Sequence, residues 1–447
     1  MLQRERRLPP ARRILFIVLQ ALLMLLVTVG LLEFSLRLFP RLIPAFLLVD
    51  FNPGVREAVA ERLGLPTEKS VRLLPRDDGG PPRRLRLFRP AAKITWEMRD
   101  RGFLRTVQMD PLGFCNPPGA RAPGSRADLL ALGDSFTFCT GVRPTEAWPI
   151  PLGLLLGLSS YNLGSPGIGL YEYLQILEQI GIPMSPRIVV LNFYEGNDLR
   201  DALHFSEYRR AVGQGRQAPA RRLLKDRPLA RHSYAYNLLV VGTRRLHRAV
   251  RLLLEKRLGI PSGEEPAPDF RYRLSFPEGA IPFNEEDADA DEVRSARSLR
   301  AGEIDLGVFR EGLETFVELS RRHGFKAIVA YTPSAYTAYA DHAVFEDAGL
   351  QDLMPWFSRR QREYLAKTGQ ELGYAFVDLT PALQAAARSL GRDDLLYFPS
   401  ILHFTARGHA VVAAALAEAL RTGTPDGRIS AGVQDSLFPP AARKHRP

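Results

Sequence analysis

A three-layer α/β/α sandwich built on a parallel five-stranded sheet is the fold this sequence predicts, and three observations predict it. Short apolar runs recur at residues 128–132, 161–163, 187–193, 326–331 and 374–379. Helix-length patterns lie between them, at 148–158, 170–180, 306–323 and 351–372. That alternation argues for a parallel sheet with helices on both faces. The first run ends at Gly133, whose backbone freedom lets the chain turn sharply and expose the hydroxyl of Ser135. A serine at the carboxyl end of a parallel strand sits where open α/β sheets present their ligand crevice.

Ahead of the sheet, residues 1–13 form a basic stub carrying Arg4, Arg6, Arg7, Arg12 and Arg13. An apolar run then opens at Ile14 and closes at Leu32, broken only by Gln20, Thr28 and Gly30. At about 1.5 Å per residue, a run of this length just crosses the hydrocarbon of a bilayer. Basic residues crowd its amino-terminal side, and only Arg37 and Arg41 follow closely. The stub is therefore expected in the cytoplasm and the rest of the chain outside it. Glu33-Phe34-Ser35-Leu36-Arg37 comes next in place of a small-residue cleavage site, so the run reads as an uncleaved signal anchor. The expected location is the inner (cytoplasmic) membrane, single-pass, with a periplasmic domain.

Residues 33–126 mix charge with Gly/Pro clusters such as Asp77-Asp78-Gly79-Gly80-Pro81-Pro82 and read as a loop-rich lead-in, with an apolar stretch at 42–49 suited to the membrane interface. The sheet domain is expected over 127–421. Within it, the long basic interval of about 203–300 reads either as a helical insertion above the crevice, a lid or docking surface, or as a partly disordered surface excursion, with one good amphipathic pattern at 234–258. Acidic residues 287–292 resemble the start of a calcium loop, but Glu292 holds the glycine position and Ser298 the bidentate-acid position, so no metal is expected. The polar, Gly/Pro-containing tail at 422–447 is expected to be disordered.

Net charge is +11 and dominated by arginine. Such a surface attracts anionic polymers or headgroups, or is simply well solvated. No basic stretch carries a nucleic-acid module, which argues against nucleic acid as a partner. The two cysteines, Cys115 and Cys139, show neither CxxC nor HExxH spacing, so neither reads as a metal ligand.

Ser135 is a weak nucleophile alone and needs a distant base and an oxyanion pocket. Gly133-Asp134-Ser135-Phe136-Thr137-Phe138 resembles the first conserved block of the GDSL/SGNH hydrolase superfamily. The segment from Asn162 to Gly169 resembles the second block, Glu195-Gly196-Asn197-Asp198 the third, and the segment from His403 to His409 the fifth. The resemblance covers roughly residues 95–420. It implies an SGNH/flavodoxin-like sheet, Ser135 as nucleophile, and His403 as general base and later acid. It also implies an oxyanion hole of the Ser135 N–H, the Gly167 N–H and the Asn197 amide. Gly164 and Gly169 remain alternatives to Gly167, and His409 a rival to His403; Asp134 and Asp198 are expected to brace loops. The family packs the Cys115 region near the first strand, and an oxidising compartment then allows a Cys115–Cys139 disulfide contributing on the order of 3 kcal/mol, with two buried thiols as the alternative.

One departure stands out. The family places an aspartate two or three residues before its histidine; here Ile401 and Ser400 occupy those positions. Losing an orienting carboxylate costs about 10⁴ in rate in serine proteases. Candidate replacements are a backbone carbonyl, the Ser400 hydroxyl, or Asp393 and Asp394 upstream. The expected activity is serine-dependent hydrolysis or acyl transfer on an ester, O-acetyl above all, of an exported glycan or envelope molecule. No cofactor is expected, and a membrane acyl-donor partner would be needed only for transfer. A lipase or thioesterase at the membrane surface and a weakened glycan-binding scaffold are the alternatives.

Overall fold

The computed structural model describes residues 10–48, 51–63, 69–74, 83–98, 103–119, 125–213, 228–258, 270–283 and 291–422. The expected tail at 422–447 lies outside them save for its first residue, as does most of the acidic 287–292 stretch. The chain divides into two units: Met1–Thr67 with Pro219–Glu265, and Glu68–Ala218 with Pro266–Pro447.

The larger unit has twelve described strands: β1 (Lys69–Leu74), β2 (Arg83–Phe88), β3 (Lys93–Met98), β4 (Phe103–Gln108), β5 (Leu129–Leu132), β6 (Ser160–Asn162), β7 (Ile188–Tyr194), β8 (Tyr272–Phe276), β9 (Gly279–Phe283), β10 (Lys326–Thr332), β11 (Ala343–Phe345) and β12 (Ala375–Asp378). Five of them form the central sheet in the order β6-β5-β7-β10-β12, every pair parallel. Residues 129–132 are all buried, as are 189–193 and 327–332, because helices cover both faces. Helix Pro149–Leu156 packs with Ala406–Thr422, whereas Leu170–Ile176 packs with Arg310–His323, which meets Leu350–Leu372. The fold is the three-layer α/β/α sandwich expected from the sequence.

Strand order reverses at β5. Its crossover to β6 runs one way across the sheet and the later strands run the other, so the crevice between the carboxyl ends of β5 and β7 is the topological switch point. Ser135 follows β5 and Asn197 follows β7.

The lead-in is more ordered than its composition suggested. β1 pairs with β2 and β3 with β4 as antiparallel ribbons. Phe88, Ile94 and Val107 from these ribbons, and Met109 just after them, bury with Cys115, Phe138, Cys139 and Phe398, with Ile401 at the edge. Cys115 and Cys139 form a disulfide with Cα atoms 6.1 Å apart, closing a 24-residue separation.

Residues 203–300, read as one helical insertion, contribute to both units. Helix Asp198–Gly213 and helix Asp291–Ala301 belong to the larger one, as does an antiparallel sheet in the order β11-β8-β9. In β8, Tyr272, Leu274 and Phe276 are buried while Arg273 and Ser275 are exposed, the period-two alternation of a half-buried strand.

In the smaller unit, helix Pro10–Leu38 contains a segment, Phe16–Leu38, long and apolar enough to cross a membrane. Leu36, Phe51, Val55 and Val59 bury against Tyr234, Ala235 and Val241 of helix Tyr234–Leu258. Asn237 ties this core together: its Oδ1 accepts from the Asn52 N–H at 2.8 Å and its Nδ2 donates to the Ala230 carbonyl at 2.7 Å.

Candidate active site

From Leu129 to Val142 every residue is buried except Ser135, which is partly exposed. The turn that lifts it is built around the Asp134 carbonyl, which accepts the Thr137 and Phe138 N–H groups at 3.2 and 3.0 Å, while Asp134 Oδ1 accepts from the Phe136 N–H at 2.9 Å. Only glycine fits at 133: a Cβ there would stand 2.2 Å from Thr137 Oγ1 and 3.1 Å from the Asn192 carbonyl oxygen. Behind the turn runs a buried polar chain. Asn162 Nδ2 donates to the Thr137 carbonyl at 2.8 Å, Asn192 Nδ2 to Thr137 Oγ1 at 3.2 Å, and Thr332 Oγ1 to Asn192 Oδ1 at 2.8 Å. Three strands are thereby locked to the turn that carries Ser135, each donor and acceptor satisfied away from water.

The loop after β6 lies alongside. Leu163 N–H bonds the Ala131 carbonyl at 2.8 Å, and Ser165 N–H bonds the Gly133 carbonyl at 3.0 Å. Among the three glycines weighed from the sequence, Gly164 and Gly169 have structural duties. Gly164 gives its N–H to Asn162 Oδ1 at 2.8 Å and has no room for a Cβ, which would meet Phe138 N at 2.7 Å. Gly169 gives its N–H to Glu172 Oε2 at 3.2 Å at the start of the next helix. Gly167 sits exposed between them with φ +67°, a left-handed bend that glycine takes without strain.

Asn197 is half-buried after β7, its Nδ2 donating to Asp201 Oδ2 at 3.3 Å and its buried Oδ1 without a hydrogen-bond partner. Its amide also lies against Asp134, close enough to favour that carboxylate's charged form, though Asp134 Oδ2 makes no hydrogen bond. Burial dominates there and pushes the Asp134 carboxyl up to about 7, with the Asp201 charge adding to the shift. Asp198 is also held well above the usual carboxylate range, by burial first and then by Asp134. Its carboxylate accepts from the Tyr194 N–H and the Tyr173 hydroxyl, both at 2.7 Å. Both aspartates thus brace loops.

His403 stands on a short closed loop. Phe398 N–H bonds the His403 carbonyl at 2.8 Å, and Leu402 N–H bonds the Phe398 carbonyl at 2.9 Å. Leu402 adopts φ +57°, a left-handed conformation rare for leucine, and the Ile401 carbonyl meets His403 Nδ1 in a hydrogen bond. A carbonyl only accepts, so Nδ1 carries the proton and Nε2 presents its lone pair. That Nε2 is buried and has no hydrogen-bond partner, Ser135 Oγ included. Phe136, directly after Ser135, stacks on the imidazole with ring centroids 4.9 Å apart, and Tyr194 stacks against Phe136 at 3.8 Å. Burial lowers the His403 pKa to about 4, opposed in part by the Ile401 bond.

Of the carboxylates named as orienting candidates, Asp393 is exposed and Asp394 pairs with Arg407 at 2.7 Å. Ser400 is half-buried, and the observed bond at Nδ1 comes from the backbone of Ile401. The rival His409 is buried, its Nδ1 accepting from the Trp148 N–H at 3.3 Å, which makes it a brace for helix Pro149–Leu156. Among the described residues, no group of three or more His, Cys, Asp or Glu is placed to hold a metal ion. Phe136, Tyr194 and the Ile401 carbonyl were missed from the sequence. The aromatic next to the serine was a visible signal, whereas a main-chain oxygen has no letter in a sequence.

No protein-family model matches the chain, and no curated protein does. Solved structures do match. One is a protein described as lipolytic and of the G-D-S-L family, from Desulfitobacterium hafniense DCB-2, at 12% identity, covering 65% of this chain and 97% of that one, with a TM-score of 0.32. Another is Axe2, an acetylxylan esterase from Geobacillus stearothermophilus, at 14% identity, covering 68% of this chain and 97% of that one, also at 0.32. At such TM-scores the likeness adds no weight to the chemistry, which rests on the side chains themselves.

Proposed function

We propose that this chain carries out serine-dependent acyl transfer or hydrolysis on an ester, with O-acetyl groups of an exported glycan or envelope molecule as the substrate class. One observation carries the reading: a buried imidazole nitrogen with a free lone pair, on a ring stacked against the residue that follows the partly exposed serine of the strand-end turn. On this reading the Ser135 hydroxyl, which makes no bond to Nε2 at rest, reaches it by side-chain rotation, a motion of picoseconds to nanoseconds. Nε2 takes the proton as Ser135 Oγ attacks the ester carbonyl, and the oxyanion meets the Ser135 and Gly167 N–H groups and the Asn197 amide. Each such donor is worth about 10²–10³ in rate. Collapse expels the alcohol, which takes the proton from His403, and leaves an acyl-serine. Water or a sugar hydroxyl, deprotonated in turn by His403, releases the acyl group and restores the serine.

The Ile401 carbonyl fixes the imidazole tautomer, the orienting duty an aspartate would otherwise perform, but supplies no full negative charge to the imidazolium. A dyad of moderate rate follows. Export is supported by the Phe16–Leu38 helix behind a basic stub and by the disulfide, which persists in oxidising compartments.

The test is fluorophosphonate labelling of the full chain in detergent. Wild type should label at Ser135, and Ser135→Ala and His403→Gln chains should not. A folded wild-type chain that resists the probe would indicate a binding scaffold. Faster cleavage of long-chain than of acetyl nitrophenyl esters would move the substrate class to lipids.

A further inference from the structure

We infer that helix Tyr234–Leu258 is a surface-lying membrane helix that docks on an anionic bilayer beside the point where the Phe16–Leu38 segment leaves it. The inference rests on reading Phe16–Leu38 as a membrane span and is independent of the ester chemistry.

The amino-terminal end of the helix is fixed to the end of that span. Glu33 Oε2 accepts from Ser233 Oγ and from the Ala235 N–H, both at 2.8 Å. Arg37 Nη2 donates to the His232 carbonyl at 2.5 Å, and its guanidinium lies 5.0 Å from the centre of the Tyr234 ring. Leu36, Tyr234, Ala235 and Val241 then share one small core. Away from that core the helix presents a different face. Leu239, Leu246 and Val250, spaced seven and four apart on one face, are 46%, 65% and 45% exposed. Arg244 and His247 are also exposed. Six of residues 244–257 are Arg or Lys, against the single acid Glu255.

Exposed aliphatic side chains aligned on one face of a segment this rich in arginine and lysine are the pattern of a helix seated in the headgroup boundary. Water is a poor neighbour for three exposed aliphatic side chains, and the nearest apolar phase at this end of the span is the bilayer itself. The cation excess selects anionic headgroups, each Lys or Arg near such a surface strengthening binding about fivefold. Membrane charge and buried aliphatic area therefore point to the same occupant.

The two cysteines are paired, so an introduced thiol is the only free one. The experiment labels full-length Leu246→Cys and Leu23→Cys chains with an environment-sensitive nitrobenzoxadiazole dye, in nanodiscs of pure phosphatidylcholine or of phosphatidylcholine with phosphatidylglycerol. Aqueous dithionite then reports shielding. The dye at position 23 should be shielded in both discs, and the dye at position 246 slowed at least about tenfold only where phosphatidylglycerol is present. Adding Arg244→Gln, Arg248→Gln and Arg251→Gln should restore rapid reduction at position 246 and leave Ser135 labelling unchanged. Rapid reduction at 246 in both discs, with 23 shielded, overturns the docking helix and keeps the span. Rapid reduction at both positions overturns the span and the docking helix together. Shielding at 246 accompanied by cross-linking between two chains through that position overturns the proposal in favour of a second copy.

Discussion

Acidification separates a buried imidazole base from an ordinary one. Burial lowers the His403 pKa from 6.5 to about 4. At about pH 5, a base of pKa about 4 is roughly 90% neutral, whereas one of pKa about 6.5 is roughly 3% neutral. The reaction rates expected from the two cases therefore differ about thirty-fold at that pH. The assay is the second-order rate constant of fluorophosphonate reaction at Ser135, followed in the full chain from mildly acidic to alkaline pH with His403→Gln as the blank. The wild-type rate at about pH 5 should stay within roughly twofold of its plateau, with the acid limb appearing near pH 4. A midpoint near 6.5 would refute the burial argument. An unchanged rate in His403→Gln would remove His403 from the chemistry altogether.

The buried Asp134–Asp198 pair makes the opposite demand on pH. A folded-state pKa of about 7, above the unfolded 3.8, means the folded chain holds an extra proton between those values, so this contribution to stability is lost as pH rises through the window. Denaturant titrations should show Asp134→Asn gaining on wild type from pH 5 to pH 8; a constant difference would falsify the assignment. Reducing the Cys115–Cys139 bond, or replacing both cysteines by serine, should cost about 3 kcal/mol and lower the thermal midpoint by several degrees. Because Ile401 packs at the edge of the same small core, Ser135 labelling should slow as well, and labelling indifferent to reductant would disconnect the two. Leu402→Asn keeps a residue tolerant of left-handed φ and should retain labelling, whereas β-branched Leu402→Ile should lose it, with a stability cost of about 1–3 kcal/mol. Equal labelling of both would show that the turn does not position His403.

What the sequence revealed follows from where side chains determine the backbone. The five parallel strands were legible to within about two residues because strands buried on both faces must be apolar. Helix Tyr234–Leu258 was legible from its periodicity, and its bounds agree with the expected 234–258. The hairpin of β8 and β9 was hidden in a long basic interval, although Tyr272, Leu274 and Phe276 alternate with Arg273 and Ser275 as a half-buried strand requires. The ribbons β1–β4 were obscured by the Gly/Pro clusters and charges scattered through the same interval. Ser135, Asn197 and His403 were named from motif order. Their support was not readable: Leu402 has no preference for left-handed backbone, and the carbonyl that holds His403 is common to every residue.

The pairing of β7 with β10 runs in register from Lys326 opposite Ile188 to Thr332 opposite Tyr194. Everything proposed to attack or to stabilise the oxyanion (Ser135, Gly167 and Asn197) lies in the polypeptide before that seam, and the imidazole lies after it. The proposed site is therefore complete only where those seven paired rungs hold the two parts of the sheet together. Turnover would then count sheets zipped together, making the molecule a reporter of its own assembly.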